Sequence, residues 1–126
     1  AAAEKAASLG ESLRVVGDEI GTPSYVPDIA AALVELVEER AIGGIRHLIN
    51  AGTASRAGWA RDVLDRVGVT VPIVEVPLAA FPRPSHPPKW GVLAETPLPS
   101  GRLLRNWQEA MSDYAPTLRR VAEAIP

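Results

Sequence analysis

The chain has 126 residues, 47% of them apolar, and a formal net charge of −2, which suits one domain with a modest core and gives no basic footprint for nucleic acid. It contains no cysteine, so disulfides and thiolate metal sites are excluded and a reducing cytoplasm is the expected compartment. No signal-peptide pattern is read, and the apolar run around Ile29 to Val34 is far too short to span a bilayer.

In chain order, Ala1 to Leu9 read as an alanine-rich helix ended by Gly10. Leu13 to Val16 form a short strand that stops at Gly17. Acidic Asp18 and Glu19 follow, and Gly21-Thr22-Pro23-Ser24 reads as a turn whose backbone can approach a ligand closely. A helix then spans about 27 to 40. Pro27 costs it nothing, since the first helical N–H groups have no partner, and Asp28 sets a carboxylate at the positive end of the dipole. Ile29, Ala32, Leu33, Leu36 and Val37 recur at helical spacing as one buried stripe, with Glu35, Glu38 and Glu39 facing away.

Gly43-Gly44 precedes a second strand at Ile45 to Ile49 and reads as a turn. Ser55 caps the next helix, whose apolar side is Trp59, Ala60, Val63, Leu64 and Val67 and which Gly68 ends. A third strand lies at Ile73 to Val76. Between Pro72 and Pro99 eight of 28 residues are proline, which rules out regular helix or central strand, and runs of this length are usually functional or wrap a surface. Asn106 caps a last helix through Trp107, Ala110, Met111 and Tyr114, where Pro116 predicts a kink or a break before Leu118, Val121, Ala122 and Ile125. Strands alternating with about four helices argue for an α/β unit with short parallel strands and a long proline-rich segment.

Several side chains invite chemistry. Asp18 and Glu19 could act as acid and base or hold a cation, but adjacent residues of an extended chain point opposite ways, so one is expected in solvent and one on a turn. Thr22 and Ser24 offer hydroxyls to a sugar or phosphate, or to their own backbone. His47 sits in a strand without an acid or serine partner, and with His86 makes no metal motif. The eleven arginines against two lysines are scattered, several beside acids, as on solvated helix faces.

The run Val15 to Ala30 resembles the "strand, acidic pair, Gly-x-Pro-[Ser/Thr]-x-x-x-Asp-[Leu/Ile]-Ala" segment of dTDP-4-dehydrorhamnose reductases, extended short-chain dehydrogenase/reductases acting on nucleotide-linked sugars. Gly43 to Gly52 resembles their "Gly-x-Tyr-His-Leu-x-Asn-x-Gly" segment, followed by a Ser-x-x-x-x-Ala helix start at Ser55 to Ala60. Val76-Pro77-Leu78 and Phe81-Pro82-Arg83-Pro84 resemble the proline-rich crossing segment, and Leu104 to Tyr114 the terminal "Trp-x-x-Ala-x-x-x-Tyr" helix. The similarity covers roughly residues 12 to 115 and rests on the order and spacing of these motifs together.

The resemblance implies the C-terminal, substrate-binding portion of such an enzyme. NADPH or NADH would be held by a preceding dinucleotide-binding domain. Neither a Gly-rich phosphate loop nor a Tyr-x-x-x-Lys set occurs here, because Tyr25 and Tyr114 are followed four residues on by Ile29 and Leu118. The start at Ala1 agrees with a fragment, and no catalytic or cofactor-binding residue is assigned to it. The partner implied is a dTDP-6-deoxy-4-ketohexose, met by Gly21, Thr22, Pro23, Ser24, Arg83 and Trp90. Where the family reads "Arg-Pro-x-x-Ser-x-Leu", this chain has Pro87, Pro88, Gly91 and Leu93, so the polar pair is lost and Arg83 or Lys89 would compensate. A magnesium ion bound by some members is not carried over, because Pro27 occupies the glutamate position. The isolated portion is expected to self-associate. Two alternatives stand: a non-catalytic regulatory or scaffolding homologue, and a stand-alone α/β binding domain.

Overall fold

The elements follow one another as β1 (Leu13–Val16), β2 (Ile20–Gly21), α1 (Val26–Glu38), β3 (Ala54–Ser55), α2 (Arg56–Val67), β4 (Ile73–Val76), a 3-10 turn (Leu78–Ala80) and α3 (Trp107–Glu123). This computed structural model describes residues 9–41 and 43–123. The expected helix over Ala1 to Leu9 lies almost wholly outside the described residues, which hold three α-helices. Strands β1 and β4 pair in parallel, Leu13 opposite Ile73 and Val16 opposite Val76. A second small ladder is antiparallel and sets Ile20 against Ser55 and Gly21 against Ala54.

Local signals account for α2 at both ends. The Ser55 hydroxyl accepts from the Gly58 N–H at 2.9 Å, and Gly68 adopts φ +73°, a left-handed conformation that glycine reaches without a Cβ penalty. Helix α2 packs on β1, β4 and α3; Ala57 and Leu64 of α2, Val16 of β1 and Trp107, Ala110, Met111 and Ala115 of α3 are all buried. A separate cluster joins Ala32 and Leu36 of α1 to Leu98 and Leu104, with Ile29, Ala41 and Leu48 around it. No helix among the described residues is long and apolar enough to cross a membrane.

Four expectations change. Residues 45–49 form no strand: His47 donates to the Thr96 hydroxyl at 3.0 Å rather than to a backbone carbonyl, and the facing segment contains Pro97 and Pro99, which lack donors for a ladder. Gly21 lies in β2 rather than in a turn, and 22–25 continue as irregular chain. The α1 stripe is narrower than its spacing suggests, since Leu33 and Val37 are 51% and 66% exposed, while Glu35 turns inward to accept from the Ser100 N–H at 3.1 Å and Arg102 at 3.2 Å. Helix α3 runs through Pro116 without a break; the proline and Ser112, whose carbonyl it frees, are both exposed, so the lost hydrogen bond falls on the solvent side.

Candidate functional site

The β2–β3 ladder, the start of α2 and one face of α3 surround a cleft of about 470 Å3. Glu19 to Tyr25 line it from one side, Ala54, Ser55, Arg56 and Trp59 from another. Trp107, Ala110, Met111 and Tyr114 enter from α3, and Pro87, Pro88 and Gly91 from the proline-rich segment. Asn106 starts α3 by accepting from the Gln108 N–H at 3.0 Å, which fixes Trp107 in the first turn. Tyr25 and Tyr114 meet as a tilted pair with ring centroids 6.0 Å apart.

Of the six residues expected to touch substrate, Gly21, Thr22, Pro23 and Ser24 line this cleft. Arg83 and Trp90 do not. Arg83 turns to Glu19, donating at 3.2 Å, and Trp90 is 63% exposed, pairing by backbone alone with Ile20. The Ser24 hydroxyl makes only a long local bond to the Thr22 carbonyl, 3.4 Å. Thr22 Oγ1 and Trp107 Nε1 are buried with no hydrogen-bond partner. Both residues line the cleft, but these two atoms are closed to solvent there, and the hydroxyl on this wall that stays exposed is that of Ser24.

Neither acidic residue is free. Asp18 Oδ1 accepts from the Leu78 N–H at 2.6 Å and Oδ2 meets Lys89 at 2.9 Å; the Lys89 hydrogen bond, then that of Leu78, holds its carboxyl below the usual value. Glu19 takes a two-pronged grip from Arg56, both contacts 2.8 Å, and this hydrogen bonding lowers its pKa. Both carboxylates therefore stay ionised as ion-pair partners, not as proton carriers. His47 bonds through Nδ1 to the Ala94 carbonyl at 3.1 Å. Among the described residues, no group of three or more His, Asp or Glu is placed to hold a metal ion.

Behind the cleft lies a hub that sequence reading missed. Asn50 is fully buried: its Oδ1 accepts from the Tyr25 N–H at 2.7 Å, and its Nδ2 donates to Asp28 at 2.7 Å and to the Arg105 carbonyl at 3.1 Å. Arg105 grips the same carboxylate at 2.9 and 3.0 Å, meets Asp113 at 2.6 Å, and lies 5.8 Å from the Tyr25 ring centre. Burial pushes the Asp28 carboxyl up, but the bonds from Arg105 and Asn50 outweigh it and the pKa falls. The Arg105 pKa is raised by Asp28 and Asp113. A signal was available: Asn50 ends the apolar run Leu48-Ile49, where a polar side chain must be paired if it is buried.

The described residues do not fit a dinucleotide. Strand β1 leads through a single glycine, Gly17, into two carboxylates rather than into a Gly-rich loop, and the first turn of α1 carries Pro27 and the Asp28 carboxylate where a pyrophosphate would need N–H donors.

Residues 3–120 match the family described as RmlD substrate binding domain. The chain is 36% identical over 106 residues to the dTDP-4-dehydrorhamnose reductase of Mycolicibacterium smegmatis, covering 81% of this chain and 32% of that protein. It is 31% identical over 111 residues to the spore coat polysaccharide biosynthesis protein SpsK of Bacillus subtilis, covering 87% and 38%. The chain thus spans about a third of the length of these relatives. Its fold matches a dTDP-4-dehydrorhamnose reductase structure from Clostridium acetobutylicum with a TM-score of 0.83 at 27% identity, over 94% of this chain and 42% of that one. A reductase from Bacillus anthracis, solved with NADP, has the same fold at a TM-score of 0.78 and 22% identity, over 90% and 41%. The chain belongs to the RmlD substrate binding domain family of dTDP-4-dehydrorhamnose reductases.

Proposed function

We propose that residues 1–126 form a single substrate-binding domain of an NAD(P)H-dependent reductase acting on a dTDP-linked 4-keto-6-deoxyhexose, and that NADPH or NADH and the proton-donating residues belong to a separate N-terminal domain. The observation that carries this reading is the cleft of about 470 Å3 lined by Gly21 to Ser24 on one side and by Trp59, Tyr25 and Tyr114 around it. An amphipathic sugar suits such a lining. Its apolar ring face and methyl group would lie on Trp59, Tyr25 and Tyr114, and its oxygens would meet the exposed Ser24 hydroxyl. The chain itself would bind and orient the sugar and exclude water, without transferring hydride. A cysteine-free composition suits a cytoplasmic enzyme.

Isothermal titration of the chain tests this reading. Heat is expected with dTDP-rhamnose and none with NADPH, and Ser24→Ala is expected to weaken the sugar nucleotide about tenfold, the effect of one lost hydrogen bond. NADPH binding without sugar-nucleotide binding would overturn it. One observation favours a regulatory homologue instead: Pro87 and Gly91 line the cleft where the family resemblance expects arginine and serine. A full gene product that binds the sugar nucleotide but never oxidises NADPH would select that reading.

Self-association forms part of the same proposal. Val26, Leu33, Val34 and Val37 leave apolar side chains of α1 exposed, and Ile45 is 89% exposed, surface of the kind that association covers. Light scattering is expected to give dimers or larger species, and a clean monomer at high concentration would count against it.

A further inference from the structure

We infer that Glu19 is a positioning residue that clamps segment 77–91 in place as the outer wall of the cleft, and that sugar-nucleotide affinity depends on this clamp; the second clause rests on the proposed function. The segment is anchored by its backbone only near its ends. Leu78 donates to Asp18 at 2.6 Å, Ile20 donates to the Lys89 carbonyl at 2.8 Å, and Gly91 donates to the Ile20 carbonyl at 2.9 Å. Between them, residues 82–88 make no backbone hydrogen bond among the described residues.

The composition explains why. Four of these seven residues are proline, so most of the stretch has no N–H to offer and holds its shape through stiff backbone dihedrals. A stiff stretch moves as a unit and needs few ties to hold it. The side-chain tie in its middle is Arg83 to Glu19, 3.2 Å, and the same carboxylate grips Arg56 at the head of α2. Glu19 therefore links two walls, the one that carries Pro87 and Pro88 and the one that carries Arg56 and Trp59. Its side chain is 13% exposed while Arg56 and Arg83 are 56% and 37% exposed; what distinguishes it from an isolated surface ion pair is that one carboxylate serves two arginines. Neutralising it would leave two guanidinium groups close together with no shared counter-charge.

The test needs no ligand for its first part. Lys89 and Lys5 are the two lysines of the chain, so a lysine-specific protease reports release of the segment by cutting between Lys89 and Trp90. Arg83→Gln and Glu19→Gln are each expected to speed that cut about tenfold in ligand-free protein. In the double variant the Arg83 effect should vanish, because its partner is already gone. An unchanged cutting rate in Arg83→Gln, whose side chain is exposed enough to leave folding intact, overturns the clamp, as does an additive double variant. In the second part, Arg83→Gln should raise the dTDP-rhamnose Kd five- to tenfold, though Arg83 does not line the cleft, and an unchanged Kd overturns the affinity clause. Faster cutting in a wild-type background that never binds the sugar nucleotide would instead reject the proposed function and leave the clamp standing.

Discussion

Replacing Asn50 with alanine is expected to destabilise the protein by about 3 kcal/mol, a fall in melting temperature on the order of 10 °C. The side chain is fully buried; removing it orphans the Tyr25 N–H and takes a donor from the Asp28 carboxylate and from the Arg105 carbonyl, which keeps only the Ala51 N–H. Asn50→Asp, although nearly isosteric, is expected to be worse at neutral pH. It loses the Nδ2 donor and sets a second negative charge beside the Asp28 carboxylate, 2.7 Å from where the donor stood. The pH dependence separates the two chemistries. In the wild type, Asp28 has a lowered folded pKa, so its contribution is complete above its unfolded value and is lost as pH falls through the folded one. In Asn50→Asp one carboxyl regains a donor by taking a proton, so its deficit should narrow as the solution is acidified toward pH ~4. Thermal melts of the three proteins from neutral to acid pH check this; a deficit that stays constant, or an alanine variant within ~0.5 kcal/mol of wild type, would show that the hub does not hold Tyr25 in place.

Gly21→Phe is expected to abolish sugar-nucleotide binding, by at least about a hundredfold, while leaving stability within ~0.5 kcal/mol. Gly21 lines the cleft, its φ lies outside the left-handed region, and a Cβ built there meets no atom within 4 Å. The backbone thus accepts a side chain, and phenylalanine is a good strand residue. A ring at this position occupies space that the ligand would fill. Titration calorimetry alongside thermal melts reads both quantities; unchanged affinity in a folded variant would mean that the ligand binds elsewhere. Gly21→Val should give an intermediate loss, since it fills less of the same space.

Elements whose signals lie within a few residues were legible. Ser55 and Gly68 bound α2, as capping predicts, and strands at 13–16 and 73–76 form the expected parallel pair. Gly21 to Ser24 were singled out for a ligand and do line the cleft. The segment 45–49 misled because alternation marks a chain fit to be a strand, whereas becoming one requires a neighbour with free donors. Trp107, Ala110 and Met111 are buried as their helical spacing says, and that the same residues with Tyr114 also border a cleft is not written in the spacing. Leu33 and Val37 carry the right period for burial, yet both stay more than half exposed among the described residues.

By itself the sequence determined the α/β class, the ends of most elements and the family motifs. All of these are written in spacings shorter than two helical turns, or in the order of short motifs. Only the tertiary structure decided which polar groups find partners and which are left over. Asn50 meets groups 22 to 55 positions away, and Glu19 meets arginines 37 and 64 positions away. Such pairings depend on where the chain returns in space, and so does the isolation of Thr22 Oγ1 and Trp107 Nε1.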